Sequence, residues 1–192
     1  MTNSNANGDT TICEVCAAMS QDNYNNSIAR DAAGVLYSTG YNGYGQNLNG
    51  NTTLTFSYSS IPASNPTVQW GGDYGPTGYP AFPTNIKRIV NSGGGSANAF
   101  FALTDDGEVL CWGYGAQGTL GYGAAANISN TGVYSCLPIA KEVIDIAGYG
   151  QSSEMTGIAL TEDGNAYTWG YSANYSIGNE NYARYAPVQL LF

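Results

Sequence analysis

The chain has no histidine, and its 192 residues carry five Lys plus Arg against 14 Asp plus Glu, a net charge of −9. Without an imidazole, no Ser-His-acid triad and no His-ligated zinc can be built from it. So few cations cannot neutralise a run of phosphates, so no nucleic acid is expected as a partner, and an anionic membrane is disfavoured for the same reason. The only adjacent basic pair is Lys87-Arg88. Charged residues make up 10% of the chain, against roughly 25% in ordinary soluble domains. No apolar run approaches the roughly 18 residues of a membrane span, so no membrane insertion is expected. Residues 1–11, MTNSNANGDTT, have neither a basic nor an apolar leader region and read as a polar tail without a secretory signal. No segment keeps a 3.6-residue apolar period over three turns, which argues against a helical fold.

What is abundant is Gly, at 26 copies, and Tyr, at 16, within a chain that is 43% hydrophobic. That composition, with many Asn, Ser and Thr, predicts an all-β protein. Residues 97–123 hold the repeating pattern. Ala102-Leu103-Thr104 and Glu108-Val109-Leu110-Cys111-Trp112 are short β-prone runs flanking Asp105-Asp106-Gly107, which predicts a tight hairpin turn. An offset of 57 residues superposes Ala102-Leu103-Thr104 on Ala159-Leu160-Thr161, Asp106-Gly107 on Asp163-Gly164, and Trp112-Gly113-Tyr114 on Trp169-Gly170-Tyr171. An offset of 73 lays Ala29, Gly34, Leu36, Gly40 and Tyr41 on Ala102, Gly107, Val109, Gly113 and Tyr114, with Thr39 in place of the Trp. Units of this size, with several strands and one hairpin turn each, are the mark of propeller blades, which bury their faces against neighbours.

The succession Val143-Ile144-Asp145-Ile146-Ala147-Gly148, Ile158-Ala159-Leu160-Thr161-Glu162-Asp163-Gly164, Tyr167-Thr168-Trp169-Gly170 and Pro187-Val188 resembles the repeat of the regulator-of-chromosome-condensation (RCC1-like) propeller family. The resemblance implies three blades of antiparallel four-stranded sheet across residues 12–192, a partial propeller, since the family closes a ring of seven. It departs from the family in having Ala99 and Thr156 where a His usually stands. Trp112 and Trp169 are expected to be buried at equivalent places. Residues 52–80 read as an insertion, an added hairpin at the blade edge. The strand Pro187, Val188, Leu190 reads as out of phase, orphaned at the end of unit 3 and available to complete the first blade of another chain head to tail; Leu137-Pro138-Ile139-Ala140 reads as the strand that opens unit 3.

Cys13 and Cys16 form a CxxC, but they align with Ile86 and Ile89 and with Val143 and Ile146, so a reduced core role is expected rather than a zinc half-site. A disulfide between Cys111 and Cys136 is left open. Asp105, Asp106, Glu108, Glu162 and Asp163 sit at repeated turns, where a carboxylate serves local backbone donors, so no catalytic residue, metal ligand or cofactor is expected and the chain reads as no enzyme. Tyr41, Tyr114 and Tyr171 read as repeat residues packing between blades. Tyr58, Trp70, Asp73, Tyr74 and Tyr79 belong to the insertion and read as a contact surface for a protein or glycan, by analogy with Tyr-rich binding loops. Three Asn-X-Ser/Thr sites, at Asn51, Asn127 and Asn174, are no more than such a composition yields by chance. The expectation is a non-enzymatic structural or receptor-binding module on a virion surface or bacteriophage tail, partnering other virion proteins, a host receptor or glycan, or itself. The alternative is an extracellular, secreted propeller that binds or inhibits another protein.

Overall fold

The computed structural model describes residues 11–18, 24–49, 52–61, 82–94, 97–123, 135–151, 154–172, 177–178 and 183–191. They form three four-stranded antiparallel sheets, each a chain-order meander. Blade 1 is β1 (Ile12–Ala18), β2 (Asn26–Asp31), β3 (Leu36–Gly40) and β4 (Thr55–Ser60). Blade 2 is β5 (Ile86–Gly94), β6 (Ala97–Thr104), β7 (Val109–Gly113) and β8 (Ser135–Cys136); blade 3 is β9 (Val143–Gln151), β10 (Glu154–Thr161), β11 (Ala166–Tyr171) and β12 (Ala183–Gln189).

The expected hairpin turns join the second and third strands of every blade. Gly107 takes a positive φ of 76°, and its N–H donates to the Thr104 carbonyl at 3.2 Å. Glu108 N–H donates to the Thr104 hydroxyl at 3.1 Å. In blade 1 Asp31 replaces that Thr, and its Oδ1 accepts from the N–H groups of Ala33 and Val35, both at 2.9 Å. Gly34 also permits a close approach: a Cβ there would lie 1.6 Å from the Thr84 carbonyl oxygen. The blade 2 turn is tied to the start of its own first strand by Asp105 N–H to Asn85 O, and it bonds onward to blade 3 through Val143 N–H to Gly107 O. Turn chemistry therefore fixes both the hairpin and the stacking of blades.

The core lies between blades. Ile28, Leu36, Leu48, Ile61 and Phe82 meet Ile86, Ile89, Phe100, Leu110 and Trp112 between blades 1 and 2. Phe101, Leu103, Val109, Cys111 and Leu120 meet Val143, Ile146, Met155 and Trp169 between blades 2 and 3. Trp112 and Trp169 are both 0% exposed, as the repeat requires. Phe100 stacks on Trp112 with ring centroids 5.7 Å apart, and Phe101 meets Trp169 edge-on at 5.2 Å.

Three expectations need correction. First, β12 is not orphaned: Thr168 pairs with Val188 and Tyr167 with Gln189, so residues 183–189 are the fourth strand of blade 3. The N–H groups of Ile61, Leu137 and Leu190 donate to the carbonyls of Leu36, Val109 and Ala166, which marks β4, β8 and β12 as equivalent closing strands. Leu137 thus ends blade 2 instead of opening blade 3, the blades are in phase, and blade 1 has no missing strand for Pro187, Val188 and Leu190 of another chain to fill. Second, residues 55–60 belong to blade 1, not to an added hairpin, because Tyr37 pairs with Ser60 and Gly40 with Thr55. Third, the CxxC aligns one residue differently. Val15, Ile89 and Ile146 pair with the repeat alanines Ala29, Ala102 and Ala159. Cys16 lies opposite Ile28, on the face towards blade 2, whereas Cys13, at the register shift after Ile12, is exposed and takes no core position. The same irregularity recurs after Ile86, so the i, i+3 residues Ile86 and Ile89 share one face, which a regular strand would forbid.

Candidate functional site: a tyrosine-lined end of the blades

The loop after β3 is held by its own amides. Asn47 N–H donates to Asn42 Oδ1 at 2.8 Å, Tyr44 N–H to Gln46 Oε1 at 2.8 Å, and Asn26 Nδ2 to the Tyr41 carbonyl at 2.9 Å. Trp112 Nε1 reaches across from blade 2 to the Gln46 carbonyl at 2.9 Å. The neighbouring backbone is fixed as well: Tyr41 N–H bonds Asn25 O, Tyr114 N–H bonds Asn98 O, and Asn98 Nδ2 donates to Tyr24 O at 2.7 Å.

On this scaffold four half-buried tyrosines meet ring to ring. Tyr24 and Tyr41 have centroids 4.4 Å apart, Tyr41 and Tyr44 6.0 Å, and Tyr44 and Tyr114 4.9 Å, with interplanar angles of 60–70°. The edge-on geometry sets the positive rim of one ring against the negative face of the next. Tyr44 of blade 1 against Tyr114 of blade 2 is an inter-blade contact, so Tyr114 packs between blades as expected, whereas the ring partners of Tyr41, Tyr24 and Tyr44, lie in its own blade. Burial, and then the neighbouring phenols Tyr44 and Tyr24, raise the Tyr41 hydroxyl above its ordinary value of 10. Burial and then Tyr44 do the same for Tyr114. The result is a stiff aromatic surface with its phenols grouped together, suited to binding by contact. Tyr24 and Tyr44 were not singled out by sequence reasoning, although their neighbour Tyr41 and its counterpart Tyr114 mark the strand end where they gather.

The opposite, turn-bearing end carries the charge. Arg30 Nε lies 3.0 Å from Glu14 Oε2, and Arg88 pairs with Asp145 across blades 2 and 3. These pairs and Lys87 line an open cleft of about 670 Å³. The turn carboxylates accept local hydrogen bonds, Asn85 to Asp106 at 2.6 Å and the Thr161 hydroxyl to Asp163 at 2.6 Å.

Of the residues expected to form a contact surface, Tyr58 lies on β4, and Trp70, Asp73, Tyr74 and Tyr79 fall outside the described residues. Pro187 and Val188 lie on or beside the β11 pairing and Leu190 follows it, within their own chain. Burial, and then Glu14, push the Cys16 thiol up to about 11; burial, and then Glu108, do the same for Cys136. Cys111 and Cys136 are not bridged: they belong to the two separate inter-blade cores.

No family model matches the chain. It is 29% identical over 144 residues, 68% of its length, to the human E3 ubiquitin-protein ligase HERC2, of which this spans 3%. It is 34% identical over 77 residues, 40% of its length, to the RCC1 domain-containing mitochondrial protein RUG3 of Arabidopsis thaliana, of which this spans 16%. Among solved structures it superposes on human WBSCR16 with a TM-score of 0.63 at 18% identity, and on Prp20p of Saccharomyces cerevisiae with 0.61 at 14%. Each superposition covers about 95% of this chain and 38% of the larger one. The chain thus spans well under half the length of the proteins it matches. The repeated hairpin unit, the in-phase four-stranded blades and these likenesses give the described residues the fold of RCC1-like repeat propellers, in three blades.

Proposed function

We propose that the chain is a non-enzymatic protein-binding propeller module whose tyrosine-lined end carries the partner contact. The observation that supports this most is the row Tyr24, Tyr41, Tyr44 and Tyr114, held ring to ring on an amide-braced loop. Tyrosine provides large contact area at low conformational cost, and its ring face attracts guanidinium and ammonium groups. A net charge of −9 draws the same kind of partner from a distance. The partner chemistry that fits is a protein segment rich in Arg or Lys. The solved relative Prp20p supports a protein-binding role, since it is described with binding properties to Gsp1p and histones.

The test is fluorescence anisotropy of a labelled Arg- and Lys-rich peptide against the wild type and the triple variant Tyr41→Ala, Tyr44→Ala, Tyr114→Ala. The variant keeps the net charge, so binding that survives in it is field alone, and equal affinity in the two proteins refutes the reading. A virion or bacteriophage setting, or a secreted binding or inhibitory role, would use the same end. Composition is its support, and detection in purified particles against culture supernatant separates the two.

A further inference from the structure

Three of the five basic residues in the chain gather at one place. Arg30, Lys87 and Arg88 line the open cleft at the turn end, and a second open cleft of about 520 Å³, between the blade 1 turn and the start of β5, shares Arg30 and Lys87 with it. The two run together as one trough with Arg30 and Lys87 at their junction. Its walls are fixed by joints inside the chain: Glu14, which holds Arg30, accepts from Ile89 N–H of blade 2, and Arg88 of blade 2 pairs with Asp145 of blade 3.

In this trough the carboxylates are engaged and the cations are not fully so. Glu14 Oε1 accepts from Ile89 N–H at 3.0 Å and its Oε2 from Arg30 Nε at 3.0 Å. Asp145 Oδ1 accepts from Ile146 N–H at 2.9 Å and from Arg88. Arg30 donates through Nε alone and Arg88 through Nη1 alone, so among the described residues their other guanidinium N–H groups have no acceptor. Lys87 forms no ion pair among the described residues, not even with Asp105 on the wall of the second cleft. It sits at the register shift between Ile86 and Arg88, which leaves its side chain exposed. The unused donors therefore outnumber the unused acceptors, and guanidinium forks match carboxylates in shape as well as charge.

We propose that the trough binds a short acidic segment of a partner protein, Arg30 and Lys87 taking one carboxylate and Arg88 a second. An open trough suits an extended segment, whereas a small molecule needs a pocket that encloses most of its surface. Three cations neutralise too few phosphates to hold a nucleic acid, and the net charge of −9 repels any long polyanion. A short segment escapes that repulsion, because the wider field is screened over roughly 8 Å at physiological salt while the contacts in the trough are not. The trough and the tyrosine row lie at opposite ends of the blades, so an acidic and a basic segment bind without competing.

Isothermal titration calorimetry of the full chain with a short Glu-rich peptide, its Gln counterpart, succinate and inorganic phosphate tests the proposal. The Glu peptide should bind and the Gln peptide should not. Lys87→Glu should weaken binding at least about tenfold, the worth of one charge-assisted hydrogen bond, and far-UV circular dichroism should show it folded, since Lys87 holds no ion pair. Asp145→Asn keeps an acceptor for Ile146 N–H and releases Arg88, so it should tighten binding, a gain that a merely structural role would not give. The triple variant Tyr41→Ala, Tyr44→Ala, Tyr114→Ala should bind the Glu peptide as the wild type does. Equal affinity for the Glu and Gln peptides, a Lys87→Glu variant that binds unchanged, weaker binding by Asp145→Asn, or heat from succinate or phosphate with none from the Glu peptide overturns the proposal.

Discussion

The two ends of the blades are built from the same strands and carry opposite chemistry. At the turn end lie Asp31, Asp105, Asp106, Glu108, Glu162 and Asp163, with the ion pairs Arg30–Glu14 and Arg88–Asp145 beside them. Three of these carboxylates serve their own turns: Asp31 accepts from turn N–H groups, Asp106 from the Asn85 amide and Asp163 from the Thr161 hydroxyl. At the other end, Tyr24, Tyr41, Tyr44 and Tyr114 answer chiefly to one another. Polar side chains there are spent on bracing the loop, which leaves the rings as the contact surface. A cluster of acidic residues is thus a poor guide to function at these turns, because Asp31, Asp106 and Asp163 are engaged in bracing the hairpins.

The strongest way to break the contrast is to remove the beam beneath the tyrosine end. Trp112→Ala deletes a fully buried indole and its hydrogen bond to Gln46, and should cost on the order of 3 to 5 kcal/mol in denaturant unfolding. A loss under about 1 kcal/mol would show that the loop does not depend on it. Tyr44→Ala comes next. It removes the ring contacts to both Tyr41 and Tyr114, at about 0.5–1.5 kcal/mol each, so its stability loss should exceed that of Tyr24→Ala, which touches Tyr41 alone among the ring pairs described.

Alkaline titration sharpens the same contrast. The folded-state hydroxyls of Tyr41 and Tyr114 are raised, so their contribution is full below the unfolded value of about 10 and is lost as pH rises above it. Phenolate absorbance should show two late-ionising tyrosines, and Tyr44→Phe, which removes a neighbouring phenolate, should bring both down. Unchanged titration in that variant would show that the phenols do not meet. Smaller still is Asp163→Asn. The Thr161 hydroxyl, then Asn165, hold the Asp163 carboxyl below its usual value, so its small stabilisation is present above that value and fades as pH falls through the folded one. The variant should flatten only this acid limb and leave the tyrosine titration untouched. Alkylation should find Cys16 and Cys136 slow at pH 8, given thiols at about 11, and elemental analysis should find no zinc.

Much of the architecture was legible because the repeat is written in residues with backbone duties. Asp-Gly turns, the Ala-Leu-Thr strand and the recurrent Trp fixed units 2 and 3 without a gap. The closing strand of blade 1 was not legible, because Thr-Phe-Ser-Tyr lacks the Pro-Val signature of β12, and its place is revealed by its pairing with β3 and by the Ile61-to-Leu36 hydrogen bond. The one-residue error at Cys16 came from the connection between the first two strands, which holds seven residues between the paired Ala18 and Asn26 against six between their counterparts Ser92 and Ala99, so the offset of 73 at Ala29 becomes 74 at Val15. The tyrosine row was half legible: Tyr41 and Tyr114 repeat, while Tyr24 and Tyr44 join them through space.

Hydroxyl-radical footprinting with the basic peptide bound tests the central claim most directly, since it reads the exposure of each aromatic and aliphatic side chain separately. The account predicts protection of Tyr24, Tyr41, Tyr44 and Tyr114, with Ile144 and Leu160 at the charged end oxidised as fast as in the unbound chain. Protection of Ile144 and Leu160 with the four tyrosines unchanged would contradict it.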